Sequence, residues 1–260
     1  MKPKTHMTKH IILTFAGSLL LNASASAALL VSGSATIDYN KTAWDGLASG
    51  FGAGPNVLTL DRYFTQADAN ALTGAQLLSD PAQPSPSYTG QVYAMNGTSV
   101  SNLTGRYTQA TDFDFTLGTP QAHTGEIGLG GVSRFTVSPL IGGGSLVYGD
   151  FTLQYSATRI GLGGSGWYLK NNILPAGASF DILNPNIVET PTTLSISGDL
   201  GVSYEVANFL YFTPSDAGVD VGDFSFVGNI APVPEPATAC FGLVAVAASL
   251  VRNRRSRRTA

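Results

Sequence analysis

The segment Ser145–Ile160, SLVYGDFTLQYSATRI, decides the fold class of this chain. Apolar and polar side chains alternate along it, Phe151, Leu153 and Tyr155 on one face against Thr152, Gln154 and Ser156 on the other. A period of two residues is typical of an antiparallel strand with one buried face and one solvated face. The segment therefore predicts a half-buried strand in a mainly β protein.

Short segments of the same kind recur on both sides of it, separated by Gly, Pro, Asn or Asp. We predict further strands at 29–38, 56–64, 88–95, 110–117, 132–138, 166–173, 178–183, 192–198 and 221–228. About ten short strands in one body predict an antiparallel β-sandwich or jelly-roll-like domain. Two short helices are expected to interrupt it, over 66–78 and over 201–210, where Ser203 is suited to cap the second helix.

Charge divides the chain of 260 residues into three unlike parts. Residues 1–28 carry three lysines and no acid, and residues 233–260 carry five arginines and one glutamate. Residues 29–232 hold six basic and sixteen acidic side chains, a net charge of −10, although the whole chain has a formal charge of only −3. This charge does not fit a basic nucleic-acid-binding protein, and a single cysteine excludes a disulfide scaffold. We therefore expect an exported acidic domain, 29–232, between two terminal address signals.

The first 28 residues have the organisation of a secretory signal peptide. Three lysines precede the apolar run Ile11–Leu21, and small residues follow it. The run is too short to span a bilayer, and the small side chains of Ala25 and Ala27 suit a cleavage region. We predict a cleaved signal peptide, and an uncleaved membrane anchor is the alternative.

The last 28 residues combine three consecutive features. A proline-containing motif, 233–238, is rigid and extended. An uncharged and mostly apolar segment, 239–251, follows it and contains the lone Cys240. As a helix, this segment would be short for a membrane span. The arginine cluster 252–258 would hold the end on the cytoplasmic side and stop transfer; its members are Arg252, Arg254, Arg255, Arg257 and Arg258.

These three features, together with a signal peptide, resemble the PEP-CTERM sorting signal. The resemblance covers about 28 of the 260 residues and rests on the motif Val233, Pro234, Glu235 and Pro236 with the two segments after it. It implies export in a Gram-negative bacterium, transient anchoring in the inner membrane, and cleavage near the motif by an exosortase-type membrane enzyme. It also implies a place in the cell envelope, at the cell surface or in the extracellular matrix, in association with exopolysaccharide and biofilm. A C-terminal anchor that stays in place is the alternative.

Three aspartates in one loop-like stretch are the only metal candidate. Asp216, Asp220 and Asp223 lie among flexible glycines. Calcium prefers six to eight oxygen ligands, so these carboxylates could contribute to a calcium site, although their spacing is not that of an EF-hand. Turn aspartates that make local hydrogen bonds are the alternative interpretation. No other cofactor is expected.

Carboxylates also supply the only candidates for catalysis. Asp112 and Asp114 lie two residues apart, on one face of a predicted strand. Paired with Asp150 or Glu126, Asp112 could act on a glycosidic bond. A solvated sheet face accounts for the same spacing without catalysis.

Two other motifs are weaker. His123 is the only histidine of the body, and no nucleophile motif accompanies it. The loop Gly161–Gly166 matches the glycine pattern of dinucleotide-binding proteins, but a predicted strand follows it where that site needs a helix. We therefore predict no catalytic constellation and interpret the body as non-enzymatic.

Aromatic side chains support an alternative function. Sugars stack on exposed aromatic rings, and the candidates are Trp44, Trp167, Tyr168, Tyr88, Tyr93, Tyr107 and Tyr155. A secreted carbohydrate-binding or carbohydrate-active protein is therefore the alternative to a surface or matrix protein.

Overall fold

Antiparallel strands make up most of the computed structural model. The structure describes residues 27–47, 58–139, 142–161, 164–209 and 216–231. The strands in these ranges are β1 (Ala27–Tyr39), β2 (Leu58–Phe64), β3 (Gln91–Met95), β4 (Asp114–Thr116), β5 (Thr119–Thr124), β6 (Ile127–Gly130), β7 (Val132–Val137), β8 (Ser145–Gly149), β9 (Thr152–Tyr155), β10 (Trp167–Asn171), β11 (Gly177–Glu189), β12 (Thr193–Val202) and β13 (Asp220–Ile230). The predicted sorting signal, and the predicted signal peptide up to residue 26, lie outside the described residues.

Short helices connect some of the strands. They are α1 (Lys41–Leu47), α2 (Gln66–Ala69), α3 (Gly74–Ser79) and α4 (Tyr204–Phe209), with a 3₁₀ turn at Ala157–Arg159. The helix predicted over 66–78 is two helices, because Thr65 and Thr73 each cap a separate one. The second prediction is confirmed, since Ser203 Oγ accepts a hydrogen bond from the Val206 N–H at 3.1 Å. Within the described ranges, each helix is too short or too polar to cross a bilayer.

Eight of the strands close into a barrel. Their order is β13, β12, β11, β10, β9, β6, β3 and β1, and β1 pairs again with β13. The closing pair runs antiparallel, from Leu30 opposite Ile230 to Tyr39 opposite Gly222. The mainly β class is thus confirmed, but a closed barrel takes the place of the predicted two-layer sandwich, because the first and last strands pair.

The segment Ser145–Ile160 forms two strands where one was predicted. β8 ends at Gly149 and β9 begins at Thr152, because the backbone of Asp150 is left-handed, with φ of 45°. Gly131, with φ of 135°, separates β6 from β7 in the same way. Beyond these two breaks, β7 and β8 leave the barrel and join β2 in a three-stranded sheet of order β2, β7, β8.

The small sheet packs against one end of the barrel through aromatic rings. Phe135 of β7 lies 5.4 Å from the ring of Tyr39 and 5.3 Å from the ring of Trp44, which belongs to α1. Tyr148 of β8 lies 5.6 Å from Phe180 of β11. These side chains belong to the same buried cluster as the barrel interior, so side chains fill this end of the barrel.

The hairpin β4–β5 lies at the opposite end, where β1 begins. The N–H of Leu30 donates to the carbonyl oxygen of Phe113 at 3.3 Å. Phe113 is buried, and the ring of His123 lies 4.5 Å from it. The N–H of Gly118, between the two strands, donates to the Glu189 carboxylate at 2.7 Å. The hairpin is therefore fixed to the beginning of β1 and to the end of β11.

Candidate functional site

Three of the six basic side chains of the body are buried in ion pairs. Their side-chain exposures are 2% for Arg106, 3% for Arg134 and 8% for Arg159. Arg62 and Lys41 form more exposed pairs with acids, at 2.6 and 2.7 Å. Ion pairs therefore engage five of the six basic side chains of the body within the described residues.

Asp150 is held by one of these buried pairs and is not accessible to a substrate. Its two carboxylate oxygens accept from Arg106 Nε at 2.6 Å and from Arg106 Nη2 at 2.7 Å. Arg106 also donates to the carbonyl oxygens of Ala69 and Leu72. Asp150 is therefore unsuited to the alternative catalytic pairing with Asp112, because it is fully buried and bound to Arg106.

Asp112 and Glu126 are joined by two hydrogen bonds. The Asp112 N–H donates to the Glu126 carbonyl oxygen at 3.1 Å, and the Glu126 N–H donates to Asp112 Oδ1 at 2.7 Å. Asp114 is exposed two residues further along. One oxygen of Asp112 is thus engaged in holding the backbone.

A hydrogen-bonded network crosses the outer face of β9 and β10. Gln154 Nε2 donates to Glu126 Oε1 at 2.5 Å, and the Tyr168 hydroxyl donates to Gln154 Oε1 at 2.5 Å. The Arg159 guanidinium lies 4.6 Å from the centre of the Tyr168 ring. We call Glu126, Gln154, Tyr168 and Arg159 the polar network. It was not predicted from the sequence, because its members come from four separate segments.

Arg159 links this network to two acids whose pKa values are shifted in opposite directions. It binds Asp181 at 2.7 and 2.9 Å, and Glu205 at 2.7 and 2.9 Å. Burial raises the pKa of Asp181 despite the hydrogen bonds from Arg159. Burial would also raise the pKa of Glu205, but the bonds from Arg159 outweigh it and lower that pKa. Both acids therefore hold Arg159 over Tyr168.

Three of the seven predicted sugar-stacking side chains lie in the interior. Trp44 and Trp167 are each 1% exposed, and Tyr93 is fully buried. Tyr107 is 50% exposed, and Tyr168 is half-buried within the polar network. The structure therefore brings no platform of tryptophans to the surface, because the tryptophans fill the core.

The three aspartates proposed for calcium do not form a metal site. Asp220 Oδ1 accepts from the Gly222 N–H at 3.0 Å, a local hydrogen bond of the turn type. Asp223 lies within β13, opposite Asp38 on one side and Asp199 on the other. In the described ranges, no three His, Cys, Asp or Glu side chains are grouped so that they could hold a metal ion.

The two remaining motifs are structural. Gly161 and Gly166 both have positive φ, and β10 begins directly after them, so the loop is a turn between strands. His123 is half-buried between Phe113 and Trp167, at 4.5 and 6.1 Å between ring centroids. Burial lowers its pKa, although a hydrogen bond to the Gly125 carbonyl oxygen acts in the opposite direction.

The outer face of β11, β12, β13 and β1 carries uncharged hydrogen-bonding side chains in register. One row runs from Asn186 through Ser197 and Ser225 to Thr36, each opposite the next. We call this face the hydroxyl wall; its members are Ser32, Ser34, Thr36, Asn186, Thr193, Ser195, Ser197, Ser225 and Asn229, all exposed or half-buried. A row of acids, Asp38, Asp223 and Asp199, borders it.

The beginning of β1 and the end of β13 lie side by side at one end of the barrel. The Ala231 N–H donates to the Leu29 carbonyl oxygen at 2.9 Å, and the Ile230 N–H donates to the Thr192 carbonyl oxygen at 2.8 Å. Strand pairing thus extends to within two residues of Val233. We call this end of the barrel the exit end, because the chain enters and leaves the barrel there.

The comparisons with known proteins include a distant structural likeness. No protein-family model and no curated protein sequence matches this chain. Among solved structures, it is similar to the C-terminal domain of HtaA from Corynebacterium glutamicum. The TM-score is 0.39 and the sequence identity 11%, over 79% of this chain and 100% of that one. A likeness at this level does not bear on function.

Proposed function

We propose that this chain is an exported surface or matrix protein of a Gram-negative bacterium, sorted through its C-terminal residues 233–260. The observation that carries the proposal is that the first and last strands of the barrel pair at the exit end. The predicted signal-peptide cleavage region, Ala25 to Ala27, and the motif Val233–Pro236 are the immediate neighbours of the paired residues Leu29 and Ala231. Both predicted processing sites are therefore joined to the same end of one barrel.

This arrangement suits a protein that is processed at a membrane. A signal peptidase and an exosortase-type enzyme both act at the bilayer, and each has to reach its site without unfolding the barrel. A barrel with both chain ends at one end can present both sites to the same membrane. The arginines of 252–258 would keep the apolar segment 239–251 in place until cleavage.

The hydroxyl wall supports a binding role for the body after release. Hydroxyl and amide groups donate and accept hydrogen bonds, which matches the hydroxyl groups of a polysaccharide. The bordering row of aspartates would disfavour a densely anionic polymer. We therefore assign the body a non-enzymatic role in an exopolysaccharide or biofilm matrix.

Mass spectrometry of the protein from cell fractions tests the sorting proposal. We expect the exported form to lack residues 252–258, and a variant without 233–260 to be secreted with its C-terminus intact. Glu235→Gln alters the motif and leaves the apolar segment and the arginines unchanged, so it serves as the matched variant. Envelope protein that retains residues 252–258 would contradict the proposed cleavage.

The polar network favours a second candidate function, a secreted carbohydrate-binding protein. Tyr168 offers a partly exposed ring, and Glu126 and Gln154 offer polar atoms beside it. We expect Tyr168→Ala to weaken retention in an affinity gel that contains the bound polysaccharide, whereas Tyr107→Ala should not. Equal retention of both variants and the unmodified protein would argue against this site.

A further inference from the structure

Four exposed aliphatic side chains gather on the outer wall at the exit end. Leu29, Val31, Val188 and Val227 are 42%, 55%, 50% and 51% exposed. Val188 and Val227 lie on either side of Ser195, in one row across three strands. Val31 lies in the irregularity of β1 between Leu30 and Ser32, next to the end of β13. We call these four residues the exit patch.

The strand segments that carry the exit patch hold almost no charge. The strand segments that carry it are 27–34, 186–189, 193–197 and 225–231, and Glu189 is their only charged residue. The Glu189 carboxylate accepts a hydrogen bond from the N–H of Gly118. The patch therefore has no cation with which to bind an anionic headgroup, and its surface chemistry is that of aliphatic and hydroxyl groups.

The chain between the patch and the predicted anchor is short. Seven residues lie between Ala231 and Ala239, and the eight residue-to-residue steps span at most about 28 Å when fully extended. Ala231 is hydrogen-bonded to Leu29, a member of the patch. An anchor at 239–251 therefore holds the exit end, and the patch with it, near the membrane surface.

We propose that the exit patch rests on the lipid bilayer while the chain is anchored, and that it contacts the boundary between headgroups and acyl chains. This inference rests on the proposed transient anchor. Moving exposed apolar side chains out of water is favourable, and amphipathic helices at membrane surfaces bury their apolar face to a depth of about 5–10 Å in this boundary. Because the patch has no cation, contact does not depend on lipid charge or salt.

Fluorescence quenching in vesicles tests the contact. The full chain with Cys240→Ala is inserted into phosphatidylcholine vesicles that contain a brominated phosphatidylcholine, and carries one labelled cysteine at Val31→Cys or Val227→Cys. Leu78→Cys is the matched control, since Leu78 is 41% exposed. It lies on α3, whose Leu77 carbonyl oxygen accepts from Arg134 of the small sheet. The native Cys240, labelled in the unaltered chain, reports separately on the anchor.

We expect a loss of fluorescence for the labels at 31, 227 and 240 and none at 78, with the same loss in 1 M salt and with phosphatidylglycerol added. Quenching at 240 alone would overturn the membrane contact and leave the anchor intact. Quenching at none of the positions would overturn the anchor and the contact together. A disulfide between two copies of the unlabelled Val31→Cys chain, with no quenching in the labelled one, would show a second copy on the patch and would also overturn the proposal.

Discussion

At the scale of single residues, the buried ion pairs show that the interior contains acids whose partners the sequence does not reveal. Asp150 lies within the predicted strand 145–160 and was considered as a catalytic partner, yet it is fully buried against Arg106. The two residues are 44 positions apart in the chain. Neither periodicity nor spacing can pair residues that meet only through the fold, so this contact was not predicted.

Replacing Asp150 by asparagine should destabilise the protein strongly. Asparagine tolerates the left-handed backbone at this position, so the main effect is to leave the Arg106 charge without its partner in the interior. Breaking a buried pair in this way typically costs about 3–5 kcal/mol. Urea unfolding of Asp150→Asn measures the loss.

Asp45→Asn is the matched control, because it breaks the ion pair with Lys41, whose side chain is 49% exposed. Exposed pairs contribute little because solvent screens them. An equal shift of the urea midpoint in both variants would contradict a special role for the buried pair.

His123 should make stability depend on pH. Burial between aromatic rings lowers its pKa in the folded state, so the folded state favours the neutral ring. The unfolded chain binds the proton first, at the ordinary pKa of about 6.5. Stability is therefore full above that pH and is lost as the pH falls towards the lower folded-state pKa.

Melting temperatures at pH 7.5 and pH 5.5 check this dependence. We expect the difference between the two to shrink in His123→Phe, since phenylalanine keeps the ring contacts and does not titrate. Gln121→Ala, two residues earlier in β5, should keep the unaltered dependence. A difference that is the same in His123→Phe would assign the effect to other groups.

At the scale of elements, alternation located most strands but not the breaks between them. β1, β7, β10 and β13 lie within a few residues of their predicted positions. β5 and β6 were missed, because TPQAHT is mostly polar and IGLG is half glycine, and neither alternates. They are strands because they pair with neighbouring strands, which their own composition does not indicate.

The register of β1, β13 and β12 places three aspartates side by side across the barrel wall. Asp38, Asp223 and Asp199 are direct neighbours on three adjacent strands. Like charges directly opposite each other destabilise a sheet. Removing the central charge with Asp223→Asn should raise stability by about 0.5 kcal/mol at low salt, the middle of the range for cross-strand pairs.

Urea unfolding at low and high salt separates this effect from a change in packing. We expect the gain in Asp223→Asn to disappear in 1 M salt, because salt screens exposed charges. Asp114→Asn is the control, since the residue opposite Asp114 is Thr124, which is uncharged. A gain that persists at high salt would show that repulsion is not its cause.

At the scale of the whole molecule, the closure of the barrel was beyond the reach of sequence patterns. A strand with one buried face looks the same in a sandwich and in a barrel, since both alternate with a period of two residues. The difference lies in whether β1 pairs with β13. That contact joins residues about 190 positions apart, and only the complete set of registers determines it.

Because β13 closes the barrel, a chain that lacks it should not fold cooperatively. β13 pairs with β12 along one edge and with β1 along the other, so its loss exposes two strand edges and the inner faces of Phe224 and Phe226, which are buried. We expect a chain that ends at Val219 to lose its sharp thermal transition and to bind a hydrophobic dye. A chain that ends at Pro232 keeps every strand of the barrel and should melt cooperatively. Calorimetry of the two chains, produced without the signal peptide, checks this, and a cooperative transition in the shorter one would show that the barrel does not depend on closure by its last strand.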